Sequence, residues 1–297
     1  QNVGSIESKG IDVALGYNKT WNDFTLGLNL TVSSNESRAV ELAPGNEVLL
    51  GLKREILGNR FVKITELGET VGLFQGYQTA GIFQNQTELN SHTSEDGTII
   101  QPNAQVGDLR FVDQNGDGVL NDDDLTTLGN PFPDFFGGLN VNMQYKRLDL
   151  SMQWYGTFGN DVYNGNLEYI RAGTQNLNVL AGTTDVVWTP TNTGARFPRL
   201  TELDRNGNYQ NPSDLFVEDG SYLRLRNIQL GYNFDIKGFQ RCRLYVSGQN
   251  LITITDYSGF DPEVANGGNA SIIDRFGVDF GRNPVSKTYL LGLNLTL

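Results

Sequence analysis

Residues 135–158, FFGGLNVNMQYKRLDLSMQWYGTF, hold two alternating segments on either side of a short polar turn. In the first, Leu139, Val141, Met143 and Tyr145 fall on one side and Asn140, Asn142 and Gln144 on the other. In the second, Leu148, Leu150, Met152 and Trp154 oppose Ser151, Gln153, Tyr155 and Thr157. A period of two places alternate side chains on opposite faces of a strand, so the stretch predicts a hairpin with one apolar and one polar face. Five more segments repeat the pattern, at 9–19, 23–33, 227–234, 242–252 and 287–297. Parity slips between Leu223/Leu225 and Ile228/Leu230, which predicts a β-bulge near Arg226 and Asn227.

Alternation alone fits a soluble sandwich as well as a membrane barrel. Three features favour the barrel. The polar faces carry Asn, Gln, Thr, Ser and Gly in place of the Lys and Glu of a solvated sheet. The apolar stripes run about 9–11 residues, the length of a tilted bilayer-crossing strand. Tyr17, Tyr145, Trp154, Tyr232, Phe234 and Tyr289 stand near stripe ends, where an interfacial girdle sits. Connections are lopsided too: tight turns alternate with long insertions at 34–133, 160–217 and 255–284, as in outer-membrane barrels. The expected fold is all-β, about seven strands of an antiparallel transmembrane barrel with long extracellular loops.

Composition narrows the function. Acidic residues outnumber basic ones by 34 to 22, for a net charge of -12, which argues against nucleic acid and anionic surfaces as partners. One cysteine (Cys242) and one histidine (His92) exclude a disulfide framework and a Cys/His zinc site. Cys242 reads as a small apolar strand residue, and His92 as part of a solvated loop. No Ser/His/Asp or Cys/His arrangement is available, so no enzyme is expected. The paired carboxylates Asp122/Asp123 and Asp261/Glu263 read as solvated loop charges. No run of 18 apolar residues marks a membrane helix, and the first residues carry no signal peptide.

One motif stands apart. Within GDLRFVDQNGDGVLNDDD, residues 107–124, the spacing is that of a 12-residue calcium loop. Asp113 takes position 1, Asn115 position 3 and Asp117 position 5, with Gly118 at the sharp turn. Val119 offers its carbonyl at position 7, Asn121 stands at position 9, and Asp124 closes the loop in place of the usual Glu. A Ca2+ ion needs such a set of oxygens. The alternative is an Asx-rich turn, whose side chains bond local N–H groups without metal. Both readings stay open on the sequence.

Several stretches, in order, carry a family resemblance: SIESKGIDVALGY, GYQTAGIFQ, GDLRFVDQNGDGVLNDDD with LGNPFPDFFGGLN, GTFGNDVYN, EDGSYLRLRNIQLGYNF, LYVSGQNLITITDYSGFDPEV and KTYLLGLNLTL. Together they resemble the C-terminal part of SusC/RagA-like TonB-dependent outer-membrane transporters of Bacteroidota, over essentially all of residues 1–297. The resemblance implies a 22-stranded barrel whose plug, TonB box and first strands lie outside this sequence. The last residue, Leu297, departs from the aromatic that usually ends such barrels. It also implies TonB-dependent import of a bulky nutrient, an oligosaccharide or peptide, with a SusD-like lipoprotein lid, and places residues 107–124 in an extracellular loop. A secreted, calcium-stabilised β-sandwich that binds glycans is the alternative. Loop aromatics Tyr163, Tyr169, Trp188, Tyr209, Phe216 and Tyr257 are candidates for stacking on sugar rings or for packing the loops.

Overall fold

The structure, a computed structural model, describes residues 4–43, 45, 47–54, 60–173, 178–264 and 275–297; parts of the first, second and third insertions lie outside them. The alternating segments become seven strands: β1 (Gly4–Trp21), β2 (Phe24–Leu42), β3 (Phe135–Tyr145), β4 (Leu148–Phe158), β5 (Tyr222–Phe234), β6 (Arg241–Thr255) and β7 (Thr288–Thr296). They form one antiparallel sheet in which neighbours in sequence are neighbours in space. This up-and-down order is that of a partial barrel.

The turns follow from local chemistry. Trp21 pairs with Phe24 and Tyr145 with Leu148, so each hairpin turns on two residues. Such turns demand a left-handed residue, and Asn22 and Lys146 supply it at φ 50° and 51°. Lys146 N–H also donates to the Asp23 carbonyl at 3.1 Å, tying the two turns together. In β5 the register breaks between Leu225 and Asn227, leaving Arg226 in a bulge. The bulge keeps Leu225 and Ile228 on one face despite their odd spacing.

Two expectations need correction. Strands β1 and β2 run 18 and 19 residues, about 60 Å at roughly 3.3 Å per residue, twice the ~30 Å hydrocarbon thickness. The first insertion therefore begins after Leu42 rather than at residue 34. Polar pairs such as Lys9↔Glu36 and Glu7↔Arg38 continue the ladder where no apolar stripe marks it. The sandwich alternative fails as well. Among the described residues no second sheet covers the apolar stripe, and Leu291 and Leu293 stand 73% and 57% exposed.

The insertions do not splay. Their short strands make a four-stranded, a three-stranded and a two-stranded sheet. A single apolar core joins Val62 and Phe74 of the first insertion, Tyr163, Phe197 and Phe216 of the second, and Val278 of the third. Lys63 Nζ donates to the Phe276 carbonyl at 2.7 Å, a further tie between first and third. The result is one packed head on the long-loop end of the sheet.

Candidate functional site: a polar wall beneath a packed head

The polar parity of the sheet faces the head. On β4 and β5, Tyr155, Tyr222 and Arg224 lie on this side, and Tyr222 and Arg224 are 4% and 1% exposed. Arg224 is the central group. Its guanidinium donates to Asp261 Oδ1 at 2.6 Å, to Glu263 Oε2 at 3.0 Å and to Thr253 Oγ1 at 3.0 Å. Arg226, turned by the bulge, donates to Glu263 Oε1 at 2.7 Å. Asp261 Oδ2 accepts the Val285 N–H at 3.0 Å, so the network pins both flanks of the third insertion to the wall.

Burial of Asp261 opposes its ionisation. The Arg224 hydrogen bond and the N–H groups of Val285 and Glu263 outweigh that cost and hold the carboxyl below its ordinary range. Asp261 and Glu263 are thus structural partners of a buried cation, not the solvated charges their sequence suggested. The signal that could have revealed them is the pair of arginines in YLRLR, inside a strand that otherwise reads apolar. A charge buried there must find a partner.

Closer to the tight-turn end the wall carries a second ionic contact. Arg243 of β6 reaches across β5 to Asp149 of β4, with Nε 3.0 Å from Oδ1. Gly231 pairs with Asp149 on one side and Tyr245 on the other, and the arginine crosses over it: a Cβ there would fall 2.4 Å from Nη2. Asn233 Nδ2 adds a bond to the same carboxylate at 3.2 Å.

All six predicted loop residues sit in one connection between Leu109–Phe111 and Leu125–Gly129, and each makes a local bond. Asp113 accepts the N–H groups of Gly116 and Gly118, both at 2.8 Å. Asn115 Oδ1 accepts Asp117 N–H at 2.9 Å, Asp117 Oδ1 accepts Val119 N–H at 2.8 Å, and Asn121 Oδ1 accepts Asp123 N–H at 2.7 Å. The Val119 carbonyl accepts Asn121 Nδ2 at 3.2 Å. Asp124, fully buried, accepts Gln114 and Asn121 N–H groups at 2.8 Å each. Asp117 is held below its ordinary pKa, chiefly by the Val119 N–H. Gly118 has φ 84°, and a Cβ there would meet Ser94 Cβ at 2.5 Å, so glycine is required twice over. Among the described residues, no three His, Cys, Asp or Glu side chains gather into one cluster. The oxygens aim at loop N–H groups.

The loop aromatics pack. Tyr163, Trp188, Tyr209, Phe216 and Tyr257 are all buried; Tyr163 lies 5.8 Å from Phe216 and 6.0 Å from Phe74, centroid to centroid. Tyr169 is half-buried. Tyr163 and Tyr209 both pack on Phe216, and burial takes Trp188 and Tyr257 out of the solvent-facing surface. His92 is likewise half-buried against Phe83, at 5.4 Å edge to face, and burial lowers its pKa. Cys242 is buried in β6, as expected.

A meander with one polar wall, one apolar face and loops gathered at one end defines a segment of an outer-membrane barrel. In sequence the chain is 32% identical over 305 residues to TonB-dependent receptor P3 of Formosa agariphila, covering 99% of this chain and 29% of that protein. TonB-dependent receptor SusC of Bacteroides thetaiotaomicron is 28% identical over 307 residues, covering 99% and 27%. The fold superposes on the solved RagAB peptide transporter with a TM-score of 0.72 at 22% identity, over 99% of this chain and 30% of that one. No family model matches. In sequence and fold the chain resembles the barrel portion of SusC/RagA-like TonB-dependent receptors. It spans about 30% of the length of the curated relatives it matches. Those relatives are named as receptors, none as an enzyme.

Proposed function

We infer that this chain contributes wall and extracellular head to a TonB-dependent importer of a bulky nutrient, an oligosaccharide or a peptide, in the outer membrane. The observation that carries the reading is the one-sided sheet: a polar wall under a single packed head, with an apolar opposite face, in a chain whose relatives are TonB-dependent receptors. A wall lined by Asn, Gln, Thr and paired charges suits a water-filled lumen, and the apolar face suits lipid. The head is the surface on which a SusD-like lipoprotein lid would dock. TonB would act through chain outside this sequence. A calcium ion in the 113–124 loop is part of the same proposal, resting on the loop's spacing; it would stiffen the head and take no part in chemistry.

Uptake in intact cells tests the import reading. Oligosaccharide or peptide uptake is expected to disappear in a strain lacking TonB and to fall strongly in one lacking the lid lipoprotein. Unchanged import in both strains would leave the chain a binding or structural role.

A further inference from the structure

The apolar face is not smooth. Where β2, β3, β4 and β5 lie side by side, it holds a recess of about 290 Å³. Its floor is Gly137 and Gly156, which pair in register across β3 and β4. Leu30, Trp154 and Leu223 form the walls. At the head end Phe135 and Phe158 stack at 5.0 Å and 21°, closing the recess above. No charged side chain lines it.

The recess is built into the backbone. A Cβ on Gly137 would fall 2.2 Å from the Thr31 carbonyl oxygen, and one on Gly156 2.6 Å from that of Tyr222. Side chains therefore cannot grow from the floor to fill it. Its position also fixes what can reach it. Residues of the opposite parity, Tyr222 and Arg224, are buried beneath the head, so the recess opens away from the lumen, out of reach of a plug. It lies inside the sheet, away from the β1 and β7 edges, so further barrel strands do not cover it.

Its depth follows from β2. On the outward parity of that strand, Val32 lines the recess and Ser34, Glu36 and Arg38 follow. The change from apolar to polar comes two residues, roughly 7 Å, above Val32. In a barrel whose long loops are extracellular, this puts the recess just beneath the headgroups of the outer leaflet. A void there would strip contacts from every atom lining it, and the chemistry adjoining it is hydrocarbon. We propose that the recess seats one acyl chain of an outer-leaflet lipid. The inference rests on the barrel's placement in the membrane and not on what it imports.

Native mass spectrometry of the full receptor, extracted from outer membranes in mild detergent and washed free of loose lipid, tests this. Wild type should retain one acyl-bearing lipid per barrel. Leu30→Trp and Leu223→Trp, which fill the recess, should each lower retention at least ten-fold, while Leu293→Trp, on the same face outside it, should not. Gel mobility without heating confirms that each variant is folded, and two filling variants guard against one misfolding. Equal retention in all four proteins overturns the proposal. So does a receptor dimer that the filling variants split into monomers without loss of lipid, which would assign the recess to a second copy.

Discussion

Arg224 ties the third insertion to the wall through Asp261 and Glu263. It is a fully buried cation with two carboxylate partners, and removing Asp261, the buried one, leaves only the partly exposed Glu263 to offset its charge. Asp261→Asn should destabilise the full receptor by about 3–5 kcal/mol. The pH dependence has a definite sign. The folded pKa of Asp261 lies below its ordinary value of 3.8, so the folded carboxyl binds its proton more weakly than the unfolded one. The stability this supplies is fully present above about pH 4 and is lost as pH falls through the lower folded value. Thermal unfolding at pH 6 and at pH 3 should show a larger drop for wild type than for Asp261→Asn. Equal drops would mean that the Arg224 contact does not govern the carboxyl.

At the scale of elements, the 113–124 loop shows how one spacing serves two chemistries. The same Asp and Asn positions that would ring a calcium ion also cap successive loop N–H groups, because both need oxygens pointing inward at a tight turn. Adding calcium to the full receptor separates them. If the ion binds, the melting temperature should rise with calcium, and Asp113→Ala should abolish the rise. A melting temperature indifferent to calcium, with Asp113→Ala still destabilising by about 1 kcal/mol through its two lost N–H bonds, would assign the loop to Asx closure alone. The barrel strands raise the opposite case. Their apolar stripes predict their faces, yet β1 and β2 extend well past those stripes, since polar residues can hold a ladder above the membrane just as apolar ones do within it.

For the whole molecule, closure is the governing requirement. Among the described residues β1 and β7 each pair on one side only, and an unpaired strand edge in hydrocarbon has no water to satisfy its N–H and C=O groups. In the full receptor β7 should therefore pair with the first strand of the barrel. Cysteines placed at facing positions, for example Leu293→Cys opposite a residue of that strand, should form a disulfide across the seam. Failure to cross-link at every register tried would argue that the barrel closes elsewhere or not at all.

The sequence by itself determined the seven strands, their order, their two faces and the bulge at Arg226. Those features are written in a two-residue period, and each segment carries it without reference to the rest of the chain. The tight turns were legible as short polar breaks in that period, although nothing local marks Lys146 for its left-handed position. The head was not legible. Phe74, Tyr163, Phe197 and Val278 come from three insertions and meet only because the up-and-down pairing of the strands brings the insertions to one end. The partner of Arg224 lies 37 residues away, and no local pattern names it. Likewise Gly137 and Gly156 become a recess only when β3 and β4 set them side by side. Tertiary structure decided these points because burial and charge pairing depend on which distant residues arrive, and a periodic sequence records only which way each residue faces.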